Sequence, residues 1–476
     1  MKHHILYLTL CGTLLPLALT ACATTASAPA VPAASATLPV SVSANTYAIT
    51  GVTVVDVEQG RLLPEQTVII AGELIRAIGP RVEVVVPDGA QMIDGRGRYL
   101  MPGLVDAHVH YFDQEVFGRV MIANGVLLVR DMGMPTDYIL KLRNELNRDE
   151  MLGPEMIATG SILDGTPPVI PAISLGLTTP EEARVAVRKQ AEAGVDMIKV
   201  YSRLDKDVFL AIVDEARKAG LNVVGHVPDS IYIEDAAAAG LRSIEHWNGF
   251  EKAIAKLLGE PVKFIYAGIG SGYEYLLHLG EVDPQALQGF YQRLRASSVI
   301  VVPTVVTFKN WPNVDALETR SLPQGEYISR NLLSLRKSQW AGQSEFPKRF
   351  WQNWAQMVKE MYKAGIPLMV GTDLSVPGII PGYSVHEEMA IWQEAGIPPA
   401  DVLRSATLAP ARFMGMEVRL GTVAEGKTAS LVLVKGNPLE DIRNARLIDG
   451  VFLRGTYYDR ADLDRLLSEA RKLTNP

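Results

Sequence analysis

Short runs in which apolar and polar residues alternate lie near both ends of the chain. One region covers residues 46–100, where Gly, Pro and Asp separate the runs, and a similar pattern returns at residues 418–460. Alternation with a period of two is typical of β-strands that bury one face. We therefore predict one small β-sandwich domain assembled from residues 46–100 and 418–460.

Residues 101–417 alternate short apolar runs with longer amphipathic stretches. The helical stretches include residues 179–193, which begin Thr-Pro-Glu-Glu in the manner of a capped helix start, and residues 207–219. The eight runs predicted as strands are residues 104–110, 126–132, 155–160, 197–201, 222–227, 243–247, 299–306 and 368–373. This pattern predicts an α/β fold, a (β/α)8 TIM barrel. The alternative is a doubly wound open sheet, but the Gly-rich loop usual after its first strand is missing.

Two connections in the predicted barrel are long, at residues 248–298 and 308–367. Insertions of this length above a barrel tend to be functional lids. Four tryptophans in the second insertion either pack added helices together or line an apolar pocket; they are Trp311, Trp340, Trp351 and Trp354. Residues 461–476 are predicted to form a C-terminal helix.

The first 22 residues have the pattern of an export signal, with Lys2 followed by an apolar stretch too short for a good membrane span. Residues 19–22 (Leu-Thr-Ala-Cys) resemble a bacterial lipobox, which predicts that Cys22 carries a lipid. Residues 23–45 are uncharged and rich in small residues, which predicts a flexible tether. We expect an exported lipoprotein on the periplasmic side, preferably of the outer membrane, that contacts the membrane only through its lipid. An ordinary secretory signal cut elsewhere is the alternative.

Charge and cysteine content limit the chemistry. The formal net charge of −7, without a long basic cluster, argues against nucleic acid as a partner. The only cysteines are Cys11 and Cys22, so metal ligands in the folded domain would be histidines or carboxylates. The oligomeric state stays open, and a homo-oligomer is possible.

Four of the eight histidines fall where predicted strands end; they are His108, His110, His226 and His246. Residues i and i+2 of a strand point to the same side, so His108 and His110 share one face, with Asp106 one step below as a possible orienting group. Asp373 ends the eighth strand, which neighbours the first strand in a closed barrel. Active sites of barrels lie at the carboxyl ends of the strands. These positions predict a cation site.

Lys199 ends the fourth predicted strand. A bare ammonium facing a cation site would be repelled and costly to bury. Three interpretations remain open: the side chain points to solvent, it acts as a neutral base or Schiff-base amine, or it carries a carbamate.

Residues 99–110 (Tyr-Leu-Met-Pro-Gly-Leu-Val-Asp-Ala-His-Val-His) resemble the opening motif of the amidohydrolase superfamily. Further fragments that resemble the family follow in its order around Lys199, His226, His246 and Asp373, and residues 421–432 resemble its tail motif. The resemblance covers residues 49–460 and is nearest to the imidazolonepropionase and Xaa-Pro dipeptidase branches.

This resemblance implies a binuclear metal centre, with zinc as the expected ion. His108, His110 and Asp373 would hold one ion, His226 and His246 the other, and carboxylated Lys199 and a hydroxide would bridge them. The implied reaction is hydrolysis of a C–N bond in a small amide, such as a dipeptide or an N-acyl amino acid, with Asp373 as proton shuttle.

The chain departs from the dipeptidase pattern where substrate would be held. Tyr-Ser-Arg-Leu follows the strand-four lysine in place of Ser-Gly-Gly, and no Gly-Gly-His occurs near the third strand. Candidate substrate contacts, each also compatible with ordinary packing, are Tyr201, Arg130, Thr304 and His386.

Two other functions compete with an amide hydrolase. A one-metal deaminase or cyclic amidine hydrolase of the same superfamily would generally lack the bridging lysine, so Lys199 argues against it. A non-catalytic metal-binding lipoprotein predicts loss of a ligand, and every ligand position is occupied.

Overall fold

The computed structural model describes residues 46–262, 272–310, 324–328, 348–376 and 378–474. The predicted signal peptide, Cys22 and the predicted tether lie outside the described residues, as do parts of both insertions, Trp311 and Trp340.

Both ends of the chain contribute strands to one sheet. The strands are β1 (Thr46–Asp56), β2 (Arg61–Ala71), β3 (Leu74–Pro80), β4 (Gln91–Asp94), β5 (Tyr99–Pro102), β15 (Leu431–Val434), β16 (Ile448–Leu453) and β17 (Thr456–Asp459). Their order is β17-β16-β15-β5-β1-β2-β3, and β4 pairs with β1. Antiparallel pairing of β5 with β15 joins the two ends, and apolar residues of both ends, such as Val68 and Phe452, share one buried cluster. The predicted shared β-region is confirmed, while its division into two sandwich layers stays a prediction.

Parallel strands form the larger part of the molecule. One sheet holds β6 (Leu104–Val109), β7 (Val126–Asp131) and β8 (Glu155–Ala158). A second sheet, in the order β10-β9-β11-β12-β13-β14, holds β9 (Ile162–Gly165), β10 (Ser174–Leu177), β11 (Met197–Val200), β12 (Asn222–Gly225), β13 (Leu241–Glu245) and β14 (Ile300–Val302). Seven of the eight predicted barrel strands have counterparts here, and β9 and β10 are additional.

Backbone hydrogen bonds link the two parallel sheets. Residues 368–373 were predicted as the eighth strand, but isolated bridges at Leu368 and Leu374 stand in place of a regular strand. Met369 N still donates to Val301 O and Ala107 N to Val370 O, both at 3.0 Å. On the other side, Asp196 N donates to Ala158 O at 2.9 Å. The result is a TIM-barrel-like α/β arrangement, which favours the predicted barrel over an open sheet.

Helices follow most of the parallel strands. They are α1 (Gln114–Ala123), α2 (Thr136–Asn147), α3 (Pro180–Ala193), α4 (Lys206–Lys218), α5 (Ile233–Ala239), α6 (Phe250–Leu257), α7 (Tyr273–Leu277), α8 (Pro284–Ala296), α9 (Val305–Asn310), α10 (Lys348–Lys363), α11 (Tyr383–Ala395), α12 (Pro399–Ser405), α13 (Leu408–Phe413) and α14 (Arg460–Thr474). The capping box predicted for α3 is present between Thr179 and Glu182. In the part of the chain described, no helix is both long and apolar enough to cross a membrane.

Two sequence predictions need correction or refinement. The seventh strand was predicted over residues 299–306, but β14 ends at Val302, because Thr304 has a left-handed backbone (φ 44°) and α9 begins at Val305. In the second insertion, Trp354 is fully buried and its Nε1 donates to Pro303 O at 2.9 Å. Trp354 therefore packs α10 onto the barrel, and the role of the insertions as lids stays a prediction.

Candidate metal centre

A single carboxylate lies among three imidazoles at the carboxyl ends of the parallel strands. Asp373 Oδ1 lies 3.4 Å from His108 Nε2 and 3.5 Å from His110 Nε2, and its Oδ2 lies 3.7 Å from His246 Nε2. Ligand atoms of His108, His110 and Asp373 all fall within 4.8 Å of one another. The fold thus brings the first and last strands together around Asp373, as the sequence predicted.

The remaining predicted ligands lie beside this group. The His226 ring stands edge-on to the His246 ring, with 5.2 Å between centroids, and stacks on Tyr201 at 3.9 Å. The charge of Lys199 acts on His108, His226 and Asp373. His226 and Lys199 therefore lie near the group around Asp373, and their part in one metal centre stays a prediction.

Each imidazole has its Nδ1 engaged on the side away from the site. The partners are Glu245 Oε2 for His108 (2.8 Å), Gly133 O for His110 (2.8 Å), Ser202 Oγ for His226 (3.0 Å) and Thr304 Oγ1 for His246 (2.7 Å). A carboxylate or carbonyl partner accepts a hydrogen bond from Nδ1–H, which keeps the proton on Nδ1 and leaves the Nε2 lone pair free, the usual arrangement around protein metals.

Two of these Nε2 atoms have unmet bonding capacity. Among the described residues, Nε2 of His108 and of His226 are buried without a hydrogen-bond partner. Buried polar atoms in native proteins are nearly always partnered by protein, water or an ion. A divalent cation at this site would satisfy both atoms, so the residues fit the metal group that the sequence predicted.

The pKa shifts of the predicted ligands indicate which side chains can offer a lone pair to a metal ion. Burial lowers the pKa of His108 and His226 well below the usual value and that of His246 to about 4, so these rings are neutral. Burial alone would raise the pKa of Asp373, but His246, His110 and Lys199 more than offset it and lower the pKa. For His110, burial is outweighed by the bond and charge of Asp373, which raise its pKa. The three neutral imidazoles of His108, His226 and His246, with an ionised carboxylate and no thiolate, suit zinc and similar divalent ions.

Lys199 is a buried amine in this site. Its side chain is 1% exposed, and no carboxylate of the described chain forms an ion pair with its Nζ. Burial, with a contribution from Arg130, lowers the Lys199 pKa to about 8 although nearby carboxylates act to raise it. The prediction that the side chain might point outward to solvent is therefore wrong.

The backbone is strained at three consecutive strand ends. His246 (φ 61°), Thr304 (φ 44°) and Asp373 (φ 57°) all adopt left-handed conformations, which are rare for residues with a Cβ and rarest for β-branched ones. Such strain persists where the surrounding structure imposes it, often at functional sites. After His246, the usual strand alternation breaks, so Glu245 and His246 can both face the interior.

Two of the predicted substrate residues adjoin the ligands. Tyr201 is partly exposed and stacks on His226, a location compatible with substrate contact. Thr304 is fully buried and bonds His246 Nδ1, so it supports a ligand rather than offering a surface to substrate.

The other two lie elsewhere, and their surroundings do not favour the predicted contact. Arg130 is fully buried beneath the site, where its three nitrogens bond Ala107 O, Ser243 Oγ and Glu245 Oε1. His386 is buried with a pKa lowered to about 4 by burial, and its Nε2 donates to the carbonyl of Asn124. Asn124 precedes β7 and so lies near the end of that strand opposite to the site.

Sequence reasoning missed the roles of Glu245 and Ser202. A signal for Glu245 existed, because Ser243 and Glu245 are polar residues two apart on a strand that is otherwise mostly apolar, and both therefore point inward. Asp106 was predicted as a possible orienting group for a ligand, but its carboxylate accepts from Thr372 N, Thr372 Oγ1 and the backbone N of His108, tying the eighth segment to β6, while the His108 ring bonds Glu245.

Comparison with known proteins agrees with this geometry. The chain is 22% identical over 406 residues to ochratoxinase of Aspergillus niger, covering 72% of each chain. Its fold is similar to that of bottromycin amidohydrolase (TM-score 0.72, 23% identity, 90% of this chain and 91% of that one). It is also similar to a Xaa-Pro dipeptidase with bound methionine in the active site (TM-score 0.62, 20% identity, 87% of this chain and 100% of that one).

The model of the amidohydrolase family matches residues 99–270 and 347–457, which is more than half of the chain and includes all six predicted metal ligands. The chain therefore belongs to the amidohydrolase family and is a hydrolase of that superfamily.

Proposed function

We propose that this hydrolase cleaves a C–N bond in a small amide, such as a dipeptide or an N-acyl amino acid. The observation that carries the proposal is the group of Nε2 atoms around the ionised Asp373, each on a ring whose Nδ1 is already bonded. The names of its relatives, an ochratoxinase, an amidohydrolase and a Xaa-Pro dipeptidase, support the same class of reaction.

The proposed centre holds two divalent cations, with zinc as the expected ion. His108, His110 and Asp373 would hold one, His226 and His246 the other, and a carbamate on Lys199 would bridge them. The carbamate forms when the neutral amine of Lys199 adds to carbon dioxide and loses a proton. This anion would replace an unpaired buried cation, which is costly to maintain.

The chain's own residues perform the proton chemistry. Two divalent cations, when bound, would acidify water and polarise the scissile carbonyl. Asp373 lies among the ligands and has a lowered pKa, so it can take a proton from the attacking water and deliver it to the leaving nitrogen. Tyr201, partly exposed beside His226, would contact the substrate.

The wider architecture completes the proposal. The parallel strands would form a closed (β/α)8 barrel within residues 101–417, flanked by a β-sandwich domain from residues 46–100 and 418–460. Residues 248–298 and 308–367 would cover the site as lids, and Cys22 would anchor the exported protein to the periplasmic side of a membrane.

Metal counting on the purified chain, followed by a screen of dipeptides and N-acyl amino acids, tests the proposed function. We expect about two ions per chain, falling sharply in Lys199→Ala. Lys252→Ala is the matched control, since Lys252 is also a buried lysine but its Nζ bonds Pro228 O and Asp229 Oδ1, neither of which belongs to a proposed ligand. Asp373→Asn should lose at least ~100-fold in hydrolysis rate because the proton shuttle is gone.

Other outcomes would favour other functions. One tight ion that is indifferent to Lys199→Ala, with release of ammonia from amidine substrates, would point to a one-metal deaminase. Two ions without hydrolysis of any amide would point to a metal-binding lipoprotein. Undiminished hydrolysis by Asp373→Asn would contradict the proposed shuttle.

A further inference from the structure

A buried ion pair crosses the barrel interior beneath His108. Glu245, on β13, and Arg130, on β7, are both fully buried, and Arg130 Nη2 donates to Glu245 Oε1 at 2.8 Å. The other oxygen of Glu245 accepts from His108 Nδ1 on β6 at 2.8 Å. Three strands are therefore joined by one chain of contacts that ends at a proposed metal ligand.

The pair is fixed by several bonds. Arg130 Nε donates to Ala107 O at 2.6 Å and Arg130 Nη1 donates to Ser243 Oγ at 3.0 Å. The Ser243 hydroxyl in turn donates to Glu245 Oε1. The guanidinium also lies 5.5 Å from the centroid of the Phe413 ring. Neither side chain has freedom to turn toward another partner.

We infer that Glu245, held by Arg130, is a positioning residue that sets the tautomer and direction of His108 for metal binding. This inference rests on the proposed metal-dependent function. A carboxylate can only accept, so it fixes the proton on His108 Nδ1 and leaves Nε2 with its lone pair toward Asp373.

The buried negative charge of Glu245 explains why an arginine lies beside it. An isolated carboxylate buried below a cation site would itself be costly and would draw the imidazole proton toward it. The Arg130 guanidinium neutralises this charge from the side opposite His108, and its planar fork bonds Glu245 and Ser243 together. His108 is thereby oriented while remaining a neutral ligand.

The test compares Glu245→Gln with the wild type by zinc competition against a chelator and by the absorption spectrum of the cobalt-substituted protein. An amide can donate as well as accept, so it no longer selects one tautomer. We expect one of two zinc ions to bind ~10–100-fold more weakly, with a changed cobalt spectrum. Glu215→Gln is the matched control: Glu215 is also a buried glutamate bonded to arginines, but its carboxylate accepts from Arg184 Nη1 and Arg188 Nη1 on α3.

The arginine is tested by a double-variant cycle. If Arg130 acts on the metal only through Glu245, the loss of zinc affinity in Arg130→Met should largely disappear in the Glu245→Gln background. If the losses of zinc affinity in the two variants add, Arg130 acts independently of Glu245, which would overturn its proposed role. Ser243→Ala is a milder variant, expected to weaken zinc binding less, and it serves if Glu245→Gln does not fold.

The outcomes separate this inference from the function on which it rests. Equal zinc affinity and an unchanged cobalt spectrum in Glu245→Gln, in a wild type that binds two ions and hydrolyses amides, would overturn the positioning role alone. A wild type that binds no zinc tightly would overturn both. An equal loss of zinc affinity in Glu215→Gln would reduce the role of Glu245 to general stability.

Discussion

Thr304 holds a proposed ligand, His246, in place while its own backbone is strained. It is fully buried, its φ of 44° is unfavourable for a β-branched residue, and its hydroxyl lies 2.7 Å from His246 Nδ1. On its other side, Val305 N and Val306 N are bound by the carboxylate of Glu388, which holds the turn in place. The strain is therefore compensated by bonds on both sides of the residue.

Thr304→Val should weaken zinc binding while leaving the fold intact. Valine has nearly the same shape but no hydroxyl, so His246 Nδ1 loses its partner. Loss of such a partner typically costs ~10–100-fold in metal affinity, and an unsatisfied buried group costs about 1–3 kcal/mol of stability. Zinc competition and thermal unfolding measure the two effects.

Thr407→Val provides the comparison for this prediction. Thr407 is also fully buried and also loses a hydroxyl bond, in its case to Leu403 O at 2.6 Å, which lies on α12 and belongs to no proposed ligand. We expect a similar loss of stability with zinc affinity preserved. If both variants bind zinc equally, the hydroxyl of Thr304 does not position His246.

The proposed metal ligands could be predicted from the sequence, but the residues that form hydrogen bonds with them could not. His108, His110, Lys199 and Asp373 are recognisable because residue type and position at a strand end are local properties of the sequence. Contacts such as that between His108 and Glu245 join strands 137 residues apart, so they depend on which strands face each other and in what register. The sequence therefore singled out Arg130 but could not show that its guanidinium bonds Glu245.

The eighth barrel segment depends on one glycine. Residues 367–374 lie between β14 and β6, and a Cβ on Gly371 would come within 2.6 Å of Val302 Cγ1 and 3.0 Å of His108 Cβ and N. Without a side chain, the segment can approach both neighbours, and Asp373 N can donate to His108 O at 2.8 Å. The position of the Asp373 carboxylate thus follows from close packing two residues earlier.

Gly371→Ala should separate these neighbours and displace Asp373. Overpacking of this kind typically costs about 1–3 kcal/mol, and we expect reduced metal content beyond what the lower stability explains. Gly280→Ala is the control, because a Cβ there meets no atom within 4 Å. Metal content per folded chain and thermal unfolding of the two variants check the prediction, and unchanged metal content in Gly371→Ala would contradict it.

Element type was predictable where periodicity was strong. The capped helix α3 and most parallel strands were predicted near their observed bounds, because a period of 3.6 or a buried apolar run is visible locally. Strand β9 was missed because Asp and Gly end its short apolar run, and β10 because it is largely exposed. The end of β14 was missed because the left-handed turn at Thr304 has no glycine to mark it.

For the whole molecule, the family pattern and the strand count together predicted a barrel with a β-region drawn from both chain ends. The structure adds how the two ends meet: β1 pairs with β2, β4 and β5, and β5 pairs with β15. The long segment between β5 and β15 contains the entire metal site. Folding of the barrel therefore brings the two ends of the chain together.

The predicted attachment to a membrane concerns the whole molecule, because it would connect the folded part to a lipid on Cys22. The described sheet begins at Thr46, well separated in sequence from Cys22 and from the nearest proposed ligand, His108. A flexible segment of the length of residues 23–45 spans about 25–30 Å on average. We therefore expect the tether to let the site work independently of the anchor.

Cys22→Ser should move the protein from the membrane fraction to the soluble fraction while the hydrolysis rate per folded molecule stays unchanged. Each buried lipid CH₂ contributes about 0.8 kcal/mol to membrane binding, so loss of the lipid removes the whole attachment. Cys11→Ser is the matched control, since Cys11 lies inside the apolar stretch of the predicted signal and should not carry lipid. A wild type already soluble would favour an ordinary secretory signal, and a Cys22→Ser protein that stays with the membrane would require a different attachment, one made by the folded surface itself.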